Sequence, residues 1–494
     1  MSFISSRVYI ILFLLIFFTK RLLIIIFSER NFLSNTQTFE YLSHNFFELF
    51  LFNHTIPNGH LILEKILSIF SLNFDLVFYL LNLSYSLFLC FFLNDVLKKL
   101  SNKKNIRFYI LILVSTCLLT YETWRINHHD HINLFIFSYL SWAIFNFTLY
   151  NKNFNHIIIS LVLLNLFYTL AFVISFLIFF FLIIGNLLNI LKTQKVHHIK
   201  IFSVLILIFI IFSKNYISSS NFGPTSMGGA NLIQRTIHAI GEDKYKKLIE
   251  YRKEIFPTWW MLITNEILEK NEKIELVDTR IANLAHGSLD SKILKNFEMQ
   301  KKIINQNILL NDEIWKIIKK DEMILMNNLS FYSYGYKQNL ISTSYQSFGK
   351  RIFFEACKIY PKDLLVGKIG NKGIFLTILQ MTSNAGLLPN YYERNLKYSN
   401  NSIKYFNNIL RFVIITVLII TPFILIEIIK YKKINKKDFL YLTILLSLLS
   451  CIITTSIITC CENPRMLVMQ FFSIVLLCSM NLNYLSDYIK NKKK

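Results

Sequence analysis

Glu40, in the run QTFEYL, is a carboxylate that could take a proton from a hydroxyl group, the work of a general base, provided that it reaches that proton. It stands with His44, Glu48 and His54 in a polar stretch, residues 28–73, between two long apolar runs. Ionisable groups beside a bilayer are costly without a partner or a task. Solvated loop residues are the plain alternative. A second polar stretch carries Tyr121, Glu122, Trp124 and Arg125, followed by His128, His129, Asp130 and His131. Imidazole and carboxylate are good zinc ligands, but consecutive residues cannot all turn toward one ion and no second half of a motif follows. No metal site is expected there.

Two further stretches invite an anion. NFGPTSMGGANL, residues 221–232 with Asn231, combines glycines and small hydroxyl residues ahead of a helical pattern. Such a loop can offer backbone N–H groups to a phosphate, or can simply turn the chain out of a membrane. CENPRM places Glu462, Asn463 and Arg465 just before the last apolar run. The planar guanidinium fork of Arg465 suits a lipid phosphate, and suits interfacial anchoring equally.

The elements that must position these residues are membrane spans. Hydrophobic residues make up 53% of the 494 and the mean hydropathy is +0.43. A span needs about 20 apolar residues as helix, and several runs supply them. The net charge of +23 would suggest nucleic acid in a soluble chain. Here the lysines fall in short loops beside apolar runs, which is the positive-inside pattern and excludes a nucleic-acid partner. Most cysteines lie within apolar runs, where a thiol acts as a small hydrophobe, and no disulfide or zinc spacing is present. The N-terminal apolar run has no small-residue cleavage site and reads as a retained anchor.

The charge rule yields about ten transmembrane helices: Val8–Phe27, Phe74–Asn94, Phe108–Thr120, Ile132–Tyr150, a pair folded from His156–Ile190 with its joint near Thr169–Phe172, Ile201–Phe212, Ile409–Ile429, Phe439–Ile458 and Met466–Leu485. Basic loops such as DVLKKLSNKKNIR, LKTQKVHHIK and KYKKINKKD then lie on the cytoplasmic side with both termini. The expected fold is an all-α polytopic membrane protein. Residues 1–212 form an N-terminal transmembrane module with outer loops 28–73 and 121–131. Residues 213–408 form a large outer domain, helical by the patterns DKYKKLIEYRKEIF and YQSFGKRIFFEACKIY, and residues 409–494 a C-terminal transmembrane module.

Taken together, the segments resemble the GT-C superfamily of membrane glycosyltransferases, which includes protein O-mannosyltransferases and lipid A aminoarabinose transferases. The resemblance rests on LFNHTIPNGHLILEKIL around His54, Pro57 and Asn58, on the upstream acid Glu40, and on a YENW-like motif at Tyr121, Glu122 and Trp124. An FGxxSxxGxNL-like segment at Phe222, Gly223, Ser226, Gly229, Asn231 and Leu232 and a late ExNR-like turn at Glu462 and Arg465 complete it, in the same order along most of the chain.

The resemblance implies transfer of a sugar from a polyprenyl-phosphate donor to a glycan, lipid or protein acceptor of the cell envelope, on the outer face of a bacterial inner membrane. Glu40 would be the base, Arg465 with Arg125 or His54 would hold the donor phosphate, and Tyr121, Glu122 and Trp124 would shape the pocket beside Asn231. No cofactor is required by it. Three other readings fit the same segments: an O-antigen polymerase or ligase, a transporter, and a non-catalytic scaffold. Against transport, the spans contain few Gly or Pro breaks and almost no midplane charge.

Overall fold

A computed structural model describes residues 58–69, 74–100, 128–168, 170–192, 194–219, 222–224, 228–252, 349–367, 373–375, 419–423, 425–426, 434–458 and 470–492. The described residues form helices and no strand. In chain order these are α1 (Asn58–Ile69), α2 (Phe74–Leu100), α3 (His128–Tyr150), α4 (Phe154–Phe167), α5 (Ala171–Leu187), α6 (Lys195–Ser219), α7 (Gly228–Ile240) and α8 (Glu242–Tyr251). They continue with α9 (residues 349–359), α10 (Pro361–Leu365), α11 (Lys436–Ile458) and α12 (Phe471–Lys492).

Three helices among the described residues are long and apolar enough to cross a membrane: Ile132–Tyr150 within α3, Lys195–Tyr216 within α6 and Lys436–Ile457 within α11. Their surroundings differ. In α3 78% of the apolar window is buried, whereas in α6 the share is 17%. Accordingly α3 is the central post, packed against α2, α4, α11 and α12, while α6 leans on α4 and α5 from outside. The bare face of α6 carries Ile199, Phe202, Ile206, Phe209 and Ile210, and α5 continues it with Phe176, Phe180 and Ile184. An apolar belt of this kind is stable facing hydrocarbon and costly facing water, which makes this a membrane protein.

The helix ends meet in a pattern that follows the lysines. At one end of the bundle Asp95 of α2 accepts hydrogen bonds from Lys99 (2.8 Å) and from Trp142 Nε1 of α3 (2.8 Å), and Lys99 also donates to Asn146 (2.6 Å). Lys200 of α6 donates to Asn155 of α4 (2.8 Å), Asn483 of α12 to the Leu100 carbonyl of α2 (3.1 Å), and Tyr484 of α12 to Asp438 of α11. The ends joined in this way are those next to Lys98, Lys152, Lys192, Lys195 and Lys436. α3 to α6 therefore alternate in direction, α12 runs antiparallel to α11, and α2 runs parallel to α3, with the lysine-bearing helix ends gathered at one end.

Local chemistry sets the joints at that end. Asn151 (φ 53°), Asn153 (φ 70°) and Asn189 (φ 55°) take the left-handed conformation in the connections after α3 and α5, and asparagine tolerates it better than other side chains. Asn435 caps α11, its Oδ1 accepting from the N–H groups of Lys437 (2.8 Å) and Asp438 (3.0 Å). Asp438 Oδ2 accepts in return from the Asn435 N–H (3.2 Å), which closes a capping box.

The structure departs from the sequence reading in helix lengths. α2 runs on past Asn94 to Leu100, because DVLKKL is helix-forming and its Asp95–Lys99 pair is spaced one turn apart. α6 starts at Lys195 and ends at Ser219, so the first residues of the expected 213–408 domain continue a span. α3 begins at His128, which puts His128–His131 in its first turn instead of an outer loop. His156–Ile190 forms two apolar helices, α4 and α5, the first ending at Phe167 and the second starting at Ala171, near the expected joint.

Candidate functional site

The end of the bundle away from the lysines is uneven. From the shared basic end α3 rises about 34 Å and α11 about the same, while the fourteen residues of α4 rise about 21 Å. The α4–α5 turn therefore lies below the tips of its neighbours. Phe167 and Tyr168 form this floor, with Tyr168 buried and edge-on to Phe137 of α3 (5.3 Å between ring centres). α12 begins at a similar depth: its Ser473 shares a hydrogen bond with Ser141, nine residues above the basic end of α3 (2.9 Å).

α1 is seated on this floor. Its first turn carries Gly59, and a side-chain carbon there would stand 2.8 Å from the Phe167 ring and 2.9 Å from the Leu166 carbonyl oxygen. Only glycine lets the two backbones approach so closely. His60, buried, donates from Nε2 to the Phe167 carbonyl (3.0 Å) and meets the Phe167 ring edge-on at 5.0 Å. The first turn of α1 thus brings Gly59 and His60 onto the recessed turn.

Polar side chains gather beside it. The Tyr168 hydroxyl faces Cys451 and Thr455 of α11, and Gln470, immediately before α12, also faces Cys451. Gln470 Oε1 accepts from Ser473 (3.1 Å), so its carboxamide is held in place. Thr455 and Ser456 are wholly buried one turn nearer the tip of α11.

The FGxxSxxGxNL-like segment lies at the same end. α6 delivers Lys214 and Asn215, both buried, and Asn215 Nδ2 donates to the Gly223 carbonyl (2.7 Å). Phe222 folds back edge-on against Phe209 and Phe212 of α6 (5.9 and 5.4 Å). α7 follows, with Asn231 in its first turn, and packs against α11. On α7 Arg235 is fully buried and Thr236 donates to the Leu232 carbonyl (2.8 Å). α7 also carries the small subdomain of α8, α9 and α10, whose core is Ile233, Ile237, Tyr245, Leu248, Ile352, Ala356 and Leu364. Arg252–Glu355 (2.8 Å), Lys358–Glu355 (2.7 Å) and Lys244–Asp363 clamp it.

Of the residues expected from sequence to do chemistry, Asn231 falls on a described helix. Glu40, His54, Tyr121, Glu122, Trp124, Arg125 and Arg465 lie outside the described residues. Their neighbours do not: His60 is six residues after His54, and Gln470 five after Arg465. Sequence reading passed over His60, Tyr168, Lys214, Arg235 and Gln470. His60 sits inside a quoted motif and carried a signal; Lys214 was detectable as a charged residue among the isoleucines of α6. Tyr168 and Gln470 had none, since their meeting at Cys451 is made by tertiary packing. Among the described residues no group of His, Cys, Asp and Glu is arranged to hold a metal ion. No protein-family model, curated protein or solved structure matches this chain.

Proposed function

We propose that the chain is a membrane-embedded glycosyltransferase that moves a sugar from a polyprenyl-phosphate donor to a cell-envelope acceptor at the end of the bundle opposite the lysines. The observation that carries this reading is that described parts of two motif segments lie at the same end: Gly59 and His60 against the α4–α5 turn, and Phe222 and Gly223 at the tip of α6 with the start of α7. Arg235, buried on α7 at this end of the bundle, suits an anionic leaving group, because fixed positive charge stabilises the phosphate as the glycosidic bond breaks.

In this scheme Glu40 takes the acceptor proton and Arg465, with Arg125 or His54, holds the donor phosphate. Tyr121, Glu122, Trp124 and Asn231 shape the pocket. His60, Tyr168 and Gln470 are positioning residues, which hold α1, the α4–α5 turn and the start of α12 around the recess. About ten spans, basic loops and both termini in the cytoplasm and the α7–α10 subdomain outside the inner membrane complete the proposal.

The test uses the full chain in lipid nanodiscs with a panel of radiolabelled polyprenyl-phosphate sugars, beside Glu40→Gln and Arg465→Ala. Wild type is expected to consume one donor, Glu40→Gln to lose at least a hundredfold in rate, and Arg465→Ala to raise the donor KM. Consumption of no donor by wild type would sink the proposal, and undiminished turnover in Glu40→Gln would remove Glu40 as the base.

A further inference from the structure

The subdomain of α7–α10 carries a groove that the proposed chemistry does not use. It is an open depression of about 470 Å³ between α8 and the end of α9, lined by Lys247, Leu248, Glu250, Tyr251, Ile359 and Tyr360. Lys247, Glu250 and Tyr251 stand at positions i, i+3 and i+4 of α8 and therefore share one helix face. Leu248, buried, forms the floor, and Tyr251 is 77% exposed. Across the groove Tyr360 is held in place by the Lys244 ammonium, 5.2 Å from its ring centre, while Lys244 is itself paired with Asp363. The Arg252–Glu355 ion pair joins the end of α8 to α9. The walls are thus braced by interactions away from the opening.

The lining chemistry narrows the ligand. One cation and one anion face the same small space, so a charged ligand of either sign meets one like charge. Two tyrosine rings offer flat apolar faces with a hydroxyl at the tip. A neutral polyhydroxyl ring matches all four groups: its C–H face lies on a tyrosine ring, while its hydroxyls donate to Glu250 and accept from Lys247. The volume accommodates about two pyranose rings, within the ordinary range of small-ligand sites.

We propose that this groove binds a neutral saccharide and serves as a subsite for the acceptor glycan. The acceptor role rests on the glycosyltransferase reading; the binding itself does not. Tyr251 carries most of the contact, with Lys247 and Glu250 setting the orientation of the sugar.

The test is saturation-transfer difference NMR on the full chain in lipid nanodiscs, which avoids sugar-headed detergents. The probes are maltose, mannobiose and N,N′-diacetylchitobiose, with an uncharged hexapeptide as a separate arm. At least one disaccharide is expected to give difference signals on its ring C–H protons, reduced at least fivefold by Tyr251→Ala and by Lys247→Ala. Both positions are at the surface, and an unchanged melting temperature for each variant verifies its fold. No signal from any disaccharide, equal signals from wild type and Tyr251→Ala, or binding of the peptide alone would each overturn the proposal. The readout needs no turnover: saccharide binding without donor consumption would leave the groove and remove the glycosyltransferase reading, and the converse result would do the opposite.

Discussion

At the scale of single residues the structure concentrates constraint on the contact between α1 and the α4–α5 turn. Gly59 has a phenyl ring and a carbonyl oxygen within 3 Å of where a methyl group would go. The oxygen belongs to the backbone and cannot rotate away, so Gly59→Ala is expected to cost roughly 1–3 kcal/mol as overpacking. Its melting temperature in detergent should fall accordingly, whereas an unchanged melt would mean that α1 is not seated as described. His60 beside it secures the same joint through a buried hydrogen bond to Phe167. Histidine was readable here as a residue type; its partner, more than a hundred positions away, was not.

Among elements, the turns and caps bear the burden. Gly241, between α7 and α8, sits at φ 83° and ψ 160°, a region that side chains with a Cβ scarcely enter. The turn lets α8 fold back against α7, so Gly241→Ala is expected to cost about 1–3 kcal/mol and to loosen α8. Hydrogen exchange should report this as faster exchange in α8 with α3 unaffected; uniform exchange would argue that the subdomain and bundle unfold as one unit. At the start of α11 the reciprocal bonds of Asn435 and Asp438 satisfy backbone N–H groups that would otherwise lack partners. Asn435→Ala is expected to cost about 1 kcal/mol, read as a lower melting temperature. Both elements were legible in part: amphipathic periodicity located α8 and α9, and the break at Pro361 was expected. The capping box was also present as residue types in NKKD.

For the whole molecule the arrangement of basic loops at one end yields a labelling test. In a background without native cysteines, Asp243→Cys on exposed α8 is expected to react with a membrane-impermeant maleimide in intact spheroplasts. Lys152→Cys, in the connection after α3, is expected to react after lysis alone. The reverse pattern would invert the proposed orientation and move the recess to the cytoplasm.

Sequence alone determined that this is a helical membrane protein, because burial of apolar side chains and the satisfaction of backbone hydrogen bonds in hydrocarbon leave few alternatives to a helix. It also determined that α4 and α5 fold as a pair and that lysines mark the connections at one end, since both depend on local runs of residue types. Tertiary structure decided which helix is central and which faces lipid, because α3 and α6 are both long and apolar enough to span and the burial of each is set by its neighbours. It likewise decided the recess. α4 is short by only nine residues relative to α3, but that shortfall matters once both start from the same end. The meeting of Tyr168, Cys451, Thr455 and Gln470 arises in the same way: contacts between residues hundreds of positions apart are set by packing, and no local pattern records them.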